Sequence, residues 1–330
     1  MKFGPSPVAE AEGAIAAHSI RLLSRKLQKG KELTAADIAD LQAAGFTEVI
    51  VARLGPEDFD ENTAAKRIAA ALVSDPAAQN IRITKAATGR VNLHATRAGV
   101  VGFDPARIHA ANAIDPMITI ATLPHYKRVE AGAMIATVKI IAYGVAAANV
   151  AKAAEALGTA MTVHAPRYQS ATLIETVIDG TSHSDKGRRA TNTRLSRLDV
   201  ALTPRIKVPH ISEAIAEAIK QAEGEVILIL TASATSDIAD VAPSAVRLAG
   251  GAVERFGMPV DPGNLLFIGS YNCRPVIGLP GCARSPALNG ADWVLERTLC
   301  GIEVTDADIA AMGVGGLLKE MPTRPKPRST

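Results

Sequence analysis

An α/β protein is what the 330-residue sequence predicts: a mostly parallel sheet flanked by helices in the C-terminal half, preceded by an α+β, β-rich accessory region. Three observations predict it. Hydrophobic residues make up 48% but aromatics only 3%, so the core is built from Ala, Val, Ile and Leu, the composition of parallel strands buried on both faces. From about residue 146 onward, strand-like and helix-like runs alternate at the spacing of βαβ units. Among them, EVILIL at 225–230 is the most aliphatic run of the chain and reads as a buried strand.

In order, LTAADIADLQAAG at 33–45 predicts a helix with a Thr34 cap, Asp37 in its first turn and a closing Gly45. TEVIVARL follows as a strand, and Glu61 to Val73 as an alanine-rich helix. VNLHATRAGVVGFD, MITIATL and MIATVKIIAYGV are strand-like, split by a short helix near Arg107. These pieces form the accessory region, 1–145. The second domain, 146–318, opens with the helix AAANVAKAAEALG and the buried strand ATLIETVIDG. A basic helix from Lys186 to Leu198 and the strand ALTPRIKVPH come next. SEAIAEAIKQAEG is expected as a capped amphipathic helix, followed by EVILILTA, the helix APSAVRLAGG, two strands joined across SYNCRP, and a closing helix in SPALNGADWVLERTLCG. The proline-rich basic tail, 319–330, is expected to be disordered.

Composition narrows the function classes. The net charge of +3, from 36 basic and 33 acidic residues, lacks the bias of a nucleic-acid binder but suits a small anionic ligand. Cys273, Cys282 and Cys300 make no CxxC and no pairing framework. With no signal peptide and no membrane-length apolar run, a reduced cytoplasmic compartment is expected. Seven scattered histidines show no HxH or HExxH pattern, so a zinc site is not expected.

Two loops carry chemistry. In open α/β sheets, ligands sit beyond the carboxyl ends of strands, beside helix N-termini whose amides attract anions. TASATS at 231–236 leaves the EVILIL strand and enters a helix near Pro243. Its Thr231, Ser233, Thr235 and Ser236 can cradle a phosphate, with Asp237 and Asp240 at the rim. A carboxylate beside a phosphate calls for a cation such as Mg²⁺; alternatively, Asp237 or Asp240 is a plain helix cap. GLPGCARSP at 278–286 leaves a second aliphatic strand and is expected to enter a helix near Ser285. Pro280 stiffens this turn, Gly281 permits close backbone approach, and Ser285 can cap or donate to an anion. Cys282 either touches the ligand or is a small buried cysteine. Asp179 and Thr181, ending ATLIETVIDG, are rim candidates. His210 is either structural or ligand-facing. Lys186, Arg188, Arg189, Arg194 and Arg197 read mainly as a solvated helix face, from which one or two side chains reach a phosphate; Asn192 is a weaker candidate.

TASATSDIADVAPSA resembles the T-x-G-G-T-G-x-x-x-R-D-x-T-P-E-A motif of molybdopterin-binding domains, the MoCF family that includes MogA-like and MoeA-like proteins, through Thr231, Asp240, Pro243 and Ala245. GLPGCARS resembles the family's L-P-G loop through Leu279, Pro280, Gly281 and Ser285. GMPVDPGN resembles the segment preceding it through Pro262 and Gly263. The likeness covers about 165 to 302, and residues 13–54 resemble MoeA-type lead segments. The whole is similar to the front half of bacterial proteins in which this unit precedes a nucleotidyltransferase-like domain. The resemblance implies a MogA-like fold, molybdopterin or its adenylated form as ligand, and a role in molybdenum cofactor biosynthesis or handling. It also implies Asp240 as the catalytic carboxylate and metal ligand, with Mg²⁺ as its cation, and a homo-oligomer. Departures stand beside it. The paired glycines are Ala232 and Ser233, the motif Arg is Ala239, a family carboxylate is His210 in VPHISEAI, and the second proline of the L-P-G loop is Ala283. These departures point to a carrier that hands the cofactor to a partner transferase over a molybdotransferase-like enzyme. A CinA-like nucleotide-pyrophosphate hydrolase is the alternative.

Overall fold

The computed structural model describes residues 1–178, 184–261 and 263–318. Asp179, Thr181, Pro262 and the tail from 319 lie outside the described residues. The protein is mixed α/β and divides into two compact units. One comprises residues 1–96, 101–127 and 131–163; the other comprises 97–100, 128–130 and the chain from 164. The division thus follows Val163 and not residue 145. The helix Ala147–Leu157, expected to open the second domain, buries Val150, Ala153 and Leu157 and packs on helices Glu61–Leu72 and Pro105–Ile114 of the first unit.

The two larger sheets of the first unit are antiparallel. In one, Glu48–Arg53 lies between Lys2–Pro7 and Ile15–Ala16. In the other, the order is Ile118–Thr122, Met134–Ile140, Arg90–Ala95, Ile81–Ile83. The helix Ala35–Ala43 starts on a capping box. The Thr34 side chain accepts from the Asp37 amide, and Asp37 Oδ2 accepts from the Thr34 amide at 2.9 Å. Leu33, Ile38 and Leu41 then join Leu22, Leu27, Val49 and Val51 in one core.

The second unit contains β1 (Ser170–Val177), α1 (Lys186–Ser196), β2 (Ala201–Leu202), β3 (Ile206–Pro209), α2 (Ser212–Gln221) and β4 (Val226–Leu230). These are followed by α3 (Val241–Leu248), β5 (Ala252–Met258), β6 (Asn264–Tyr271), β7 (Arg274–Gly278), α4 (Gly290–Leu299) and α5 (Asp306–Ala311). The sheet order is β2-β1-β4-β7-β6-β5, with β3 also paired to β1. The pairings of β1 with β2, β3 and β4, and of β4 with β7, are parallel. β6 and β5 add an antiparallel edge. Every residue of β4 is buried, as its unbroken aliphatic run requires. Ile174, Ile227, Ile229 and Val276 pack with Ile215 and Ile219 of α2 and Val246 of α3.

Several local expectations change. ALTPRIKVPH is two short strands, because Pro204 has no N–H to give a ladder between them. Ser212 does not cap α2: Ile211 holds the N-cap position, and the Ser212 hydroxyl donates to the Val241 carbonyl at 3.1 Å. β5 reads poorly from sequence because it is a half-buried edge strand carrying Glu254 and Arg255. The turn across SYNCRP holds Asn272 and Cys273 at φ of 47° and 60°, the left-handed pair of a tight hairpin.

Asp37 anchors the first unit's helix. Burial raises its pKa. Bonds from Lys31 at 2.6 Å, the Thr34 amide and Arg25 at 2.6 Å outweigh burial and hold the carboxyl well below the usual carboxylate range. A depressed folded-state pKa gives stability that is fully present above pH ~4 and lost as pH falls below it. Asp37→Asn should therefore cost about 2 kcal/mol at pH 7 and progressively less toward pH 2, as read from denaturant unfolding.

Candidate functional site

Because β4 and β7 are parallel neighbours, the loops following them leave the same edge of the sheet. Two glycines fix what surrounds that edge. A Cβ on Gly278, the last residue of β7, would lie 1.9 Å from the Phe267 ring. A Cβ on Gly187 would lie 2.4 Å from Leu230 Cδ2, so the first turn of α1 rests directly on the end of β4.

The loops are tied through one peptide group. Arg284 Nη2 donates to the Thr231 carbonyl at 2.5 Å. The Ala232 N–H, on the opposite side of the same peptide plane, donates to Thr176 Oγ1 at 2.7 Å. Thr176 Oγ1 also lies 3.0 Å from His210 Nδ1. Side chains from the ends of β1, β3 and the loop after β7 thus converge on the exit of β4.

The 231–240 loop differs from an open phosphate cradle. Thr231 and Thr235 are buried, whereas Ser233, Ser236 and Asp237 are exposed. The Ser236 amide donates to Asp240 Oδ2 at 2.7 Å, and Asp237 Oδ1 accepts from the Ala239 amide at 2.7 Å. Asp240 caps α3, its Oδ1 accepting from the Val241 amide at 2.6 Å. Those two amides, Ser236 first, hold the Asp240 carboxyl below its ordinary range, with a further contribution from His210 and against the effect of burial. Each carboxylate oxygen therefore accepts one backbone amide. Among the described residues no group of three or more His, Cys, Asp or Glu side chains is arranged to hold a metal ion. The bonds that Asp240 makes are those of the capping alternative.

The second loop lines open space. Gly281–Arg284 forms a 3₁₀ turn, and α4 begins only at Gly290, capped by Asn289 and not by Ser285. Ser285 Oγ instead accepts from the Ala287 amide at 3.2 Å. A cleft of 660 Å³ lies here, lined by Gly281, Cys282, Arg284 and Ser285 on one side and by Lys186, Arg189 and Thr193 of α1 on the other. Among the described residues that line it, three side chains are cations and none is a carboxylate. A Cβ on Gly281 would meet only Arg284 Nη1, at 3.7 Å, so the protein's own packing does not demand glycine there. Cys282 is exposed and not a core residue; Pro280 is buried. Cys300 is the buried cysteine, its thiol pushed up to about 12 by burial. None of residues 231–240 lines this cleft.

The basic helix is not one solvated face. Lys186 and Arg189 line the cleft, Arg188 donates to the Thr203 carbonyl at 2.8 Å, and Arg197 is exposed. Asn192 lines a smaller cleft of 490 Å³ with Arg188, Arg189, Arg205 and Asp185. Arg194 is buried: its Nε donates to Asp292 Oδ1 at 2.5 Å, and its other nitrogens reach the carbonyls of Ala283, Ser285 and Ala287. Asp292 Oδ2 in turn accepts from the Asn289 amide at 2.7 Å. One guanidinium therefore staples the 283–287 segment to the start of α4. No short motif marks this role; the only sequence hint is an arginine on the helical face that carries Ala190 and Leu195.

Arg194→Met leaves Asp292 buried without its cation and should cost about 3 to 5 kcal/mol in denaturant unfolding. Arg194→Lys should recover part of that loss, since it restores the charge but not the fork. Asp240→Ala should cost about 1 kcal/mol, the value of a helix cap. Adding Mg²⁺ should leave that difference unchanged.

Residues 5–53 match a family described as a domain of unknown function (DUF8806). Comparison with curated proteins finds no match. Among solved structures, the chain is similar to one described as the molybdopterin biosynthesis MoeA protein from Pyrococcus horikosii. That likeness covers 91% of this chain and 75% of that one at 13% identity, with a TM-score of 0.31.

Proposed function

We propose that the C-terminal unit binds molybdopterin, a phosphorylated pterin, and acts in molybdenum cofactor handling as a carrier that passes it to a partner transferase. The observation that carries the reading is the cleft beside the ends of β4 and β7. Its volume of 660 Å³ is in the range that takes a small ligand, and Lys186, Arg189 and Arg284 line it with no carboxylate among the described lining residues to oppose them. Cations converging on one concave surface attract an anion more strongly than the same charges dispersed. Arg284 can offer its remaining N–H groups to phosphate oxygens while its Nη2 bond to Thr231 holds it in place. The motif resemblance through Thr231, Asp240, Pro243, Pro280 and Gly281 is what selects a pterin phosphate among small anions.

The molybdotransferase-like and CinA-like readings both place a divalent cation beside the ligand phosphate. Asp240 accepts from the Ser236 and Val241 amides as a helix cap does, and among the described residues no group of three or more His, Cys, Asp or Glu side chains gathers to hold such a cation. Binding and transfer need only the cleft. Molybdopterin supplies the dithiolene chemistry, and this chain supplies charge, shape and a fixed loop.

Protein purified from cofactor-producing cells should yield the fluorescence of oxidised pterin. Replacing Lys186, Arg189 or Arg284 singly with Ala should lower retention roughly tenfold, as expected for losing one charge-assisted contact. Retention should also fall with added salt. Wild-type protein that carries no pterin and binds none when it is supplied would overturn the reading.

A further inference from the structure

We infer that the smaller cleft on α1 is a second site, which takes a free phosphate-class oxyanion between Arg188, Arg189 and Asn192; it does not rest on the molybdopterin-binding reading. The cleft has a volume of 490 Å³, and its other described lining residues are Asp185, Leu202 and Arg205. Among the described lining residues, it shares only Arg189 with the larger cleft. Asn192 stands four residues after Arg188 and three after Arg189 on α1, the spacings that bring side chains together on a helix surface. Two guanidinium forks and one amide donor are the groups that suit a tetrahedral oxyanion.

The bonds around the cleft show which of its charges are free to act. Arg205 is used internally. Its Nε and Nη2 donate to Glu175 at 2.8 and 3.3 Å, and its Nη1 donates to Asp185 at 2.6 Å. That last bond is the main reason the Asp185 carboxyl stays below its ordinary range, with Lys207 and Arg189 contributing less. Asp185 is thereby turned to Arg205. Arg188 has no such counter-ion. Its Nη2 donates to the neutral Thr203 carbonyl at 2.8 Å, and its Nη1 is buried with no hydrogen-bond partner among the described residues. Folded proteins rarely leave a buried donor unmade. A guanidinium held at one corner can bring the other to an oxyanion by a small turn of its last torsion. Arg189 and Asn192 are exposed, so their donors are open to an ion in the cleft. Three guanidiniums thus stand against the carboxylates of Asp185 and Glu175, and one positive charge is left over for an anion.

The test titrates the full chain, labelled with ¹⁵N-arginine and free of pterin, with inorganic phosphate at constant ionic strength. The Arg188 Nε–H signal, assigned by its loss in Arg188→Gln, should move along a saturating curve, and chloride alone should not move it. Asn192→Asp changes an exposed residue and sets a carboxylate in the cleft. It should weaken phosphate binding roughly tenfold, as expected for replacing a donor by a like charge. Lys186→Ala, which touches only the larger cleft, should leave the curve within about twofold of wild type. A signal that never saturates, or the same curve in Asn192→Asp as in wild type, means an adventitious ion only and overturns the site. Loss of binding in Lys186→Ala with Asn192→Asp unchanged puts the phosphate in the larger cleft and overturns it equally. The titration needs no molybdopterin, so a failure of the molybdopterin-binding reading leaves this result standing, and the reverse holds as well.

Discussion

The peptide group between Thr231 and Ala232 is the constraint on which the candidate site depends. A trans peptide presents its carbonyl and its N–H on opposite sides. Here Arg284 takes the carbonyl and Thr176 takes the N–H, so two loops and a neighbouring strand end are fixed by one rigid plane. The alternative, a buried polar group left unmade at the exit of β4, would cost more than either bond returns on its own. The short aliphatic strand stops where it does because its next backbone group is claimed from outside the sheet.

A second constraint holds the segment that carries Arg284. Arg194 binds Asp292 and three carbonyls of the 283–287 segment, and Asp292 also closes the Asn289 capping box. The two arginines divide the labour. Arg194 is buried and shapes the loop; Arg284 is half-buried and faces both the peptide and the cleft. A charge that is fully paired inside the protein is unavailable to a ligand, and a charge on the wall is not.

Much of this was legible in the sequence, for physical reasons that differ by element. The aliphatic run VILIL could only be a strand buried on both faces, and the loop after it had to leave the sheet's carboxyl edge. GLPG, rising from PVIGL, had to leave beside it once both strands were parallel. Thr34 and Asp37 announced their capping box through spacing alone. What stayed hidden depends on contacts between residues distant in sequence. Nothing local tells Arg194 from Arg189, five positions earlier on the same helix, yet one is stapled to α4 and the other lines a cleft. Asp240 carries the same ambiguity. A carboxylate at a helix start can cap or bind a cation, and the capping bonds from the Val241 and Ser236 amides come into view only in the fold. The hairpin edge β5 was obscured by its charged residues, and the unit boundary by a helix whose apolar face serves the preceding unit.

Gly187 has a bearing on how such a cleft can change. Since α1 touches Leu230 with no side chain between them, the height of the helix above the sheet is set by van der Waals contact. Lys186 and Arg189 flank that contact point. Any residue larger than glycine would act as a shim, tilting the first turn outward and moving both cations together, so the cleft's width is governed at a position that need never meet the bound molecule.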